Sequence, residues 1–239
     1  MNQNIDWNNP IDISIPLSNQ PDNVSAWYVN PPKFEPVVMG DWIGDVNKGG
    51  SVNFRNIYFN PHGHGTHTEC VGHISKENFT INQCLRRFVF TAELITVTPE
   101  LTTEGAYISK VHLEHAIKHK DIDAIIIRTL PNDDVKIHRQ YSNTNPPYLH
   151  HDAAAYLVQM GIAHLLIDLP SVDPEQDGGK LLAHHVFWQY PENTRTEATI
   201  TELIYVPDHV KDGKYILNIQ IAPFENDASP SKPVLYKCL

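Results

Sequence analysis

Between Asn60 and His73 the chain reads Asn60-Pro61-His62-Gly63-His64-Gly65-Thr66-His67-Thr68-Glu69-Cys70-Val71-Gly72-His73, which places four histidines and one carboxylate within twelve residues. Imidazole nitrogens and carboxylate oxygens are the usual donors to zinc and similar divalent ions. The interleaved Gly63 and Gly65 let the backbone fold tightly enough for several of these side chains to converge. His67 and Glu69 stand two apart, so on an extended segment they project from one face and can share a metal centre. Cys70 alternates with Glu69 and points the other way, which suits packing better than a thiolate role. His112, His115 and His119 recur near helical spacing, but no acid completes a set and they read as a surface face. Ser171 lies between Pro170 and Val172 without a Gly-x-Ser-x-Gly elbow and reads as a turn.

The elements that must position these groups are short, because 18 prolines and 12 glycines punctuate the chain. Runs rich in β-branched and aromatic residues predict about seven strands, at 11–16, 52–59, 87–97, 123–129, 163–168, 197–206 and 215–221. Helical spacing predicts helices over 103–119, over 152–160 ended by Gly161, and over 179–188. Strands separated by helices predict one mixed α/β domain over residues 1–239. The polar, proline-bounded segment 131–147 and the Pro-, Asn- and Gly-rich segment 19–48 read as surface loops, a common place for binding groups. Trp27, Tyr28, Trp42 and Trp188 are aromatics that suit either the wall of a substrate pocket or core packing.

Composition excludes several classes of partner. With 41% hydrophobic and 19% charged residues the chain folds rather than staying disordered. Eighteen Lys+Arg against 28 Asp+Glu give a net charge of −10, and no basic run offers nucleic acid an electrostatic footprint. Apolar stretches such as 124–127 and 165–167 fall far short of the roughly 20 residues of a membrane helix. The polar segment 1–9 carries no secretory pattern, and Cys70, Cys84 and Cys238 form no disulfide framework. A reducing compartment, and hence a cytoplasmic location, is expected.

Beyond the histidine-rich turn the chain resembles the cyclase family of metal-dependent hydrolases, the kynurenine formamidase-like and isatin hydrolase-like group. Gly65-Thr66-His67-x-Glu69-x-x-x-His73 follows that family's His-x-Gly-Thr-His-x-Asp-x-Pro-x-His signature. Asp12-Ile13-Ser14-Ile15-Pro16-Leu17-Ser18 resembles its opening strand, and Ile125-Ile126-Ile127-Arg128-Thr129 a strand ending in Arg-Thr. Tyr148-Leu149 with 153–157 and Gly161 resembles the helix that follows, and Ile167-Asp168-x-Pro170-Ser171-Val172-Asp173 the segment leading to a downstream metal-binding histidine. The chain departs from the pattern at three places. The family's first ligand falls on Gly63, flanked by His62 and His64; Glu69 replaces an aspartate; and Val71 stands at the proline position.

The resemblance implies a swivelling β/α/β fold around a mixed sheet. It further implies a pair of divalent cations, two Zn2+ in first place with Mn2+ or Mg2+ as alternatives. His62 (alternate His64), His67 and Glu69 would form one set of ligands. Glu69, His184 (alternate His185) and Glu202 (alternate Glu197) would form the second, with Glu69 bridging. A metal-activated water as nucleophile and His73 as proton shuttle are the implied mechanism, since a metal lowers the pKa of bound water to about 7. C–N bond cleavage in an aryl formamide or a cyclic amide is the implied reaction, and a small-molecule amide the implied partner. A homodimer or homotetramer is the implied assembly, with loops in 19–48 near the site. The rival expectation is a metal-containing binding protein that kept the fold and lost turnover, which the changes at Gly63 and Glu69 keep open.

Overall fold

The computed structural model describes residues 4–239 apart from Glu104. The expectations for the extreme N-terminus and for the start of the 103–119 helix therefore fall partly outside the described residues. In chain order, β1 (Ile11–Asp12) precedes β2 (Lys33–Pro36), β3 (Val38–Met39), β4 (Trp42–Ile43) and β5 (Arg55–Tyr58). Next come β6 (His67–Glu69), the single turn α1 (Ile81–Cys84), β7 (Val89–Val97), β8 (Glu100–Thr102), β9 (Gly105–Ile108) and α2 (Lys110–Ala116). The second half holds β10 (Ala124–Thr129), β11 (Tyr148–Leu149), α3 (His151–Gln159), β12 (His164–Ile167), α4 (Leu182–Trp188), β13 (Thr199–Glu202), β14 (Gly213–Ile221) and β15 (Ala228–Lys237).

Among the described residues one sheet of eight strands runs β1-β15-β14-β7-β10-β12-β13-β6, and β15 also pairs with β6. That last pairing closes strands β6, β7, β10 and β12–β15 into a barrel-like ring, with β1 fixed outside on β15. The segment β7-β10-β12-β13 is parallel, and its crossovers contain α2, α3 and α4 in turn. Parallel strands so covered are buried on both faces and read as continuous apolar runs. Ile125 and Ile127 of β10 join Leu113, Ala153, Leu157, Phe187 and Trp188 in the core beneath the helices, whereas Ala124 and Ile126 join Leu94, Leu217 and Leu235 in the core of the ring. The mixed α/β architecture matches the sequence-based expectation.

Several elements differ from that expectation. The helix predicted over 103–119 is only Lys110–Ala116, because 105–108 instead pairs with β8 and β11. His112 sits in its first turn and accepts the Ser109 N–H at Nδ1, and His119 lies beyond its end, 3.0 Å from buried Glu93. The strand predicted over 11–16 shrinks to Ile11–Asp12 and that over 52–59 to Arg55–Tyr58, while the 19–48 segment contains β2–β4 and is not wholly loop. The 197–206 run shortens to Thr199–Glu202. β15 carries no strand signal in the sequence, since Pro230 and Pro233 interrupt its pattern.

Candidate metal centre

Strand register carries the first three donors to one place. In the antiparallel pairing of β6 with β13, His67 stands opposite Glu202 and Glu69 opposite Ile200. Directly opposed residues share a face, and residues two apart on a strand do so as well, so His67, Glu69 and Glu202 project together. Glu202 lies at the carboxyl end of a parallel strand, the usual side for ligands in such sheets. His62 enters from the turn before β6, where the Asn60 side chain accepts the backbone N–H groups of His62 and Gly63. His184 enters from α4, whose first turn is capped by Asp173: its carboxylate accepts the N–H groups of Ala183 and His184.

Each imidazole is held by one nitrogen so that the other faces the acids. Nδ1 of His67 donates to the Gly65 carbonyl at 3.0 Å, leaving Nε2 3.4 Å from Oε2 of Glu202. Nδ1 of His184 donates to Asp173 at 2.6 Å, leaving Nε2 3.1 Å from Oε1 of Glu69 and 3.8 Å from Oε1 of Glu202. Nε2 of His62 donates to Asp227 at 2.9 Å, leaving Nδ1 3.1 Å from Oε2 of Glu69. Orientation of a ring by an acceptor on its far nitrogen is the usual support of a metal-binding histidine. Glu202 itself accepts the Val172 N–H at 2.9 Å. His67 and Glu69 are fully buried, yet Nε2 of His67 and Oε2 of Glu69 make no hydrogen bond.

Such an arrangement costs free energy unless positive charge sits among the donors. Burial works against protonation of His62 and His184, but the acids beside them, Asp227 and Glu69 in one case and Asp173 and Glu69 in the other, push both imidazoles up to about 10. Burial likewise opposes ionisation of Glu69, and the neighbouring His73, His184 and His62 nonetheless hold its carboxyl well below the ordinary range. The acids thus demand cations, and a divalent ion answers that demand with the imidazoles neutral. Two groups of donors lie close enough to grip an ion, His62-Glu69-His73 and His67-Glu69-Glu202. Both share Glu69. In one group β-pairing sets His67 against Glu202, in the other His73 stands with its Nδ1 3.8 Å from Oε2 of Glu69, and His184 belongs to neither group but meets Glu69 at 3.1 Å.

The alternatives left open by the sequence separate cleanly. His64 accepts the Asn60 N–H at its Nδ1, His185 faces the Tyr190 carbonyl, and Glu197 is exposed near Arg86 and Arg87, whereas His184 meets both Glu69 and Glu202. No side chain fits at 63, where a Cβ would lie 2.7 Å from Cγ2 of Val29. Cys70 is buried in the ring core and Ser171 accepts the Asp173 N–H within a turn, as expected. Of the four aromatics, Trp27 lines the cavity over the site, whereas Trp188 is core and donates to the Ala198 carbonyl. That cavity, about 320 Å³, is also bounded by His62, His73, His184, Glu175 and Leu181. Two acids escaped the sequence reading as site residues. Asp173 was legible only as part of a family segment, and Asp227 lies 154 residues from His73 in a turn with no local signature.

The Cyclase family profile matches residues 11–174, more than half of the chain. The chain belongs to the Cyclase family. His184 and Glu202 lie beyond the matched span, so their place in this Cyclase member's site rests on the geometry above. The chain is 27% identical over 230 residues to a kynurenine formamidase of Bacillus thuringiensis, covering 94% of this chain and 96% of that one. Its fold is that of a predicted metal-dependent hydrolase from Bacillus stearothermophilus, with a TM-score of 0.68, 18% identity, and coverage of 95% and 98% of the two chains. An isatin hydrolase bound to the product analogue thioisatinate is similar in the same way, with a TM-score of 0.66, 15% identity, and coverage of 96% and 92%.

Proposed function

We propose that this Cyclase-family chain is a metal-dependent amidohydrolase that cleaves the C–N bond of an aryl formamide or a related cyclic amide. The observation that carries the reading is the pair of buried donors without hydrogen bonds, Nε2 of His67 and Oε2 of Glu69, inside a ring of further imidazoles and acids. His62, His67, Glu69, His184 and Glu202 would hold the cation, in first place two Zn2+ with Mn2+ or Mg2+ compatible with the same donors. Bound there, the metal supplies Lewis acidity toward a carbonyl oxygen and toward water.

The chain's own groups supply the rest. His73 lines the cavity and has its Nδ1 3.2 Å from Asp227, so its Nε2 is the nitrogen free to exchange a proton with water and with the departing amine nitrogen. Trp27 gives the cavity an apolar wall of the kind an aromatic substrate packs against. Water adds across the amide, and formate and the aryl amine leave, or a cyclic amide opens to an amino acid. Assembly as a homodimer or homotetramer is part of this reading, supported by exposed Val38, Met39, Phe54, Ile57 and Tyr58 on and beside the β2–β5 ribbon. A cytoplasmic location also belongs to it; among the described residues no helix is long and apolar enough to cross a membrane.

The test is to load the chain with Zn2+ or Mn2+, count bound metal by elemental analysis, and screen N-formyl aromatic amines, cyclic imides and lactams. Two ions per chain with steady formate release from aryl formamides is the expected result. Full metal loading without turnover of any of these amides would replace the reading with a metal-containing binding protein, the alternative that the substitutions at Gly63 and Glu69 raise.

A further inference from the structure

Asp227, like Asp173, contacts a histidine of the site from outside both the signature turn and the two donor groups, but it alone of the two touches a pair of them. It sits immediately before β15, and β15 pairs with β6 so that Ala228 lies opposite Glu69. Its backbone is fixed from both sides: its carbonyl accepts the Cys70 N–H at 3.0 Å, and the preceding Asn226 carbonyl accepts the Ile81 N–H at 2.8 Å. A Cβ on Gly72 would lie 3.3 Å from Cβ of Asp227, so the glycine leaves room for the side chain to reach inward. One oxygen, Oδ2, then meets Nε2 of His62 at 2.9 Å and Nδ1 of His73 at 3.2 Å. The two imidazoles lie 4.4 Å apart between centroids.

A carboxylate only accepts, so each ring nitrogen that faces it must carry the proton. We propose that Asp227 is a positioning residue that sets the tautomers of two histidines at once. It makes Nδ1 of His62 the free donor, aimed at Glu69, and Nε2 of His73 the free nitrogen, aimed at the cavity. A single acid thereby couples a metal-holding imidazole to the proton-carrying one. Without it either ring can rotate or exchange tautomers, and the nitrogen needed for its task is available only part of the time. The proposal rests on the reading of His62 and His73 given above, but its structural half is independent of which amide is cleaved.

The experiment uses the full chain as wild type, Asp227→Ala and Asp227→Asn, each checked for folding by circular dichroism. Nitrogen-15 NMR of the imidazoles reads the tautomers directly, with and without Zn2+. Wild-type Zn2+-loaded protein is expected to show Nε2–H at His62 and Nδ1–H at His73, and Asp227→Ala to lose both fixed signals. Turnover of an aryl formamide should fall in kcat by about 10–100-fold with KM unchanged, and Zn2+ affinity by a similar factor, the usual cost of removing a group that supports a ligand. Asp227→Asn, which keeps an acceptor oxygen but not the charge, should recover part of both. Unchanged tautomers in Asp227→Ala would overturn the proposal, as would loss of one whole equivalent of metal, which would make Asp227 a ligand instead. If no formamide is turned over, the functional reading fails while the tautomer arm stands. If Zn2+ does not bind, the His73 Nδ1–H signal in metal-free protein still decides the matter.

Discussion

At the scale of single residues, proximity in sequence is a poor guide to which side chain acts. His184 and His185 are neighbours on one helix turn, where adjacent side chains point about 100° apart, and only His184 faces Glu69. His184→Ala is expected to weaken metal binding by more than the roughly 10–100-fold typical of a supporting group, Asp173→Asn by about that factor, and His185→Ala not at all. Titration with a competing chelator checks all three. The signature turn made His67, Glu69 and His73 legible in the sequence because their geometry is local: alternation on a strand needs no tertiary knowledge. The choice between His62 and His64 was not legible, since it depends on Val29 crowding position 63 and on Asn60 capturing His64. Asp227 could not have been found, because only the closure of the sheet brings it to the site.

Elements, more than residues, decide where acid sensitivity lies. His164 begins β12 and is buried against Phe90, with its Nδ1 2.9 Å from the Thr199 hydroxyl on β13. Burial, with Arg87 nearby, pushes its imidazole down to about 4. The group is neutral in the fold and binds a proton below about 6.5 when unfolded, so its contribution to stability is present above that pH and is lost as pH falls toward 4. Urea melts at pH 7 and pH 5 should therefore show a smaller acid loss in His164→Gln than in wild type; equal losses would remove His164 as a cause. Sequence patterning located β7, β10 and β12 because continuous apolar runs mark strands covered on both faces. It overextended the 103–119 helix because the same residues that look periodic there find strand partners in β8 and β11, a tertiary choice that propensity does not record.

On the scale of the whole molecule, the centre is stitched from the turn before β6, from β6, β13 and α4, and from the approach to β15, so whatever occupies it ties distant parts of the chain together. Stripping metal with a chelator is expected to lower the melting temperature, and restoring Zn2+ to recover it. At free metal about 1,000 times its Kd the linked stabilisation is about 4 kcal/mol. A melting temperature indifferent to metal would show that the acids and imidazoles are content without a cation.

The closure of the ring by its final strand also orders events in time. Until residues 227–237 have left the ribosome, β6 has β13 as its sole partner in the ring and His62 lacks the acid that orients it. A chain that has released β13 but not residues 227–237 can therefore assemble His67, Glu69 and Glu202 while His62 and His73 still lack their shared acid, and the centre is complete only once β15 has closed on β6.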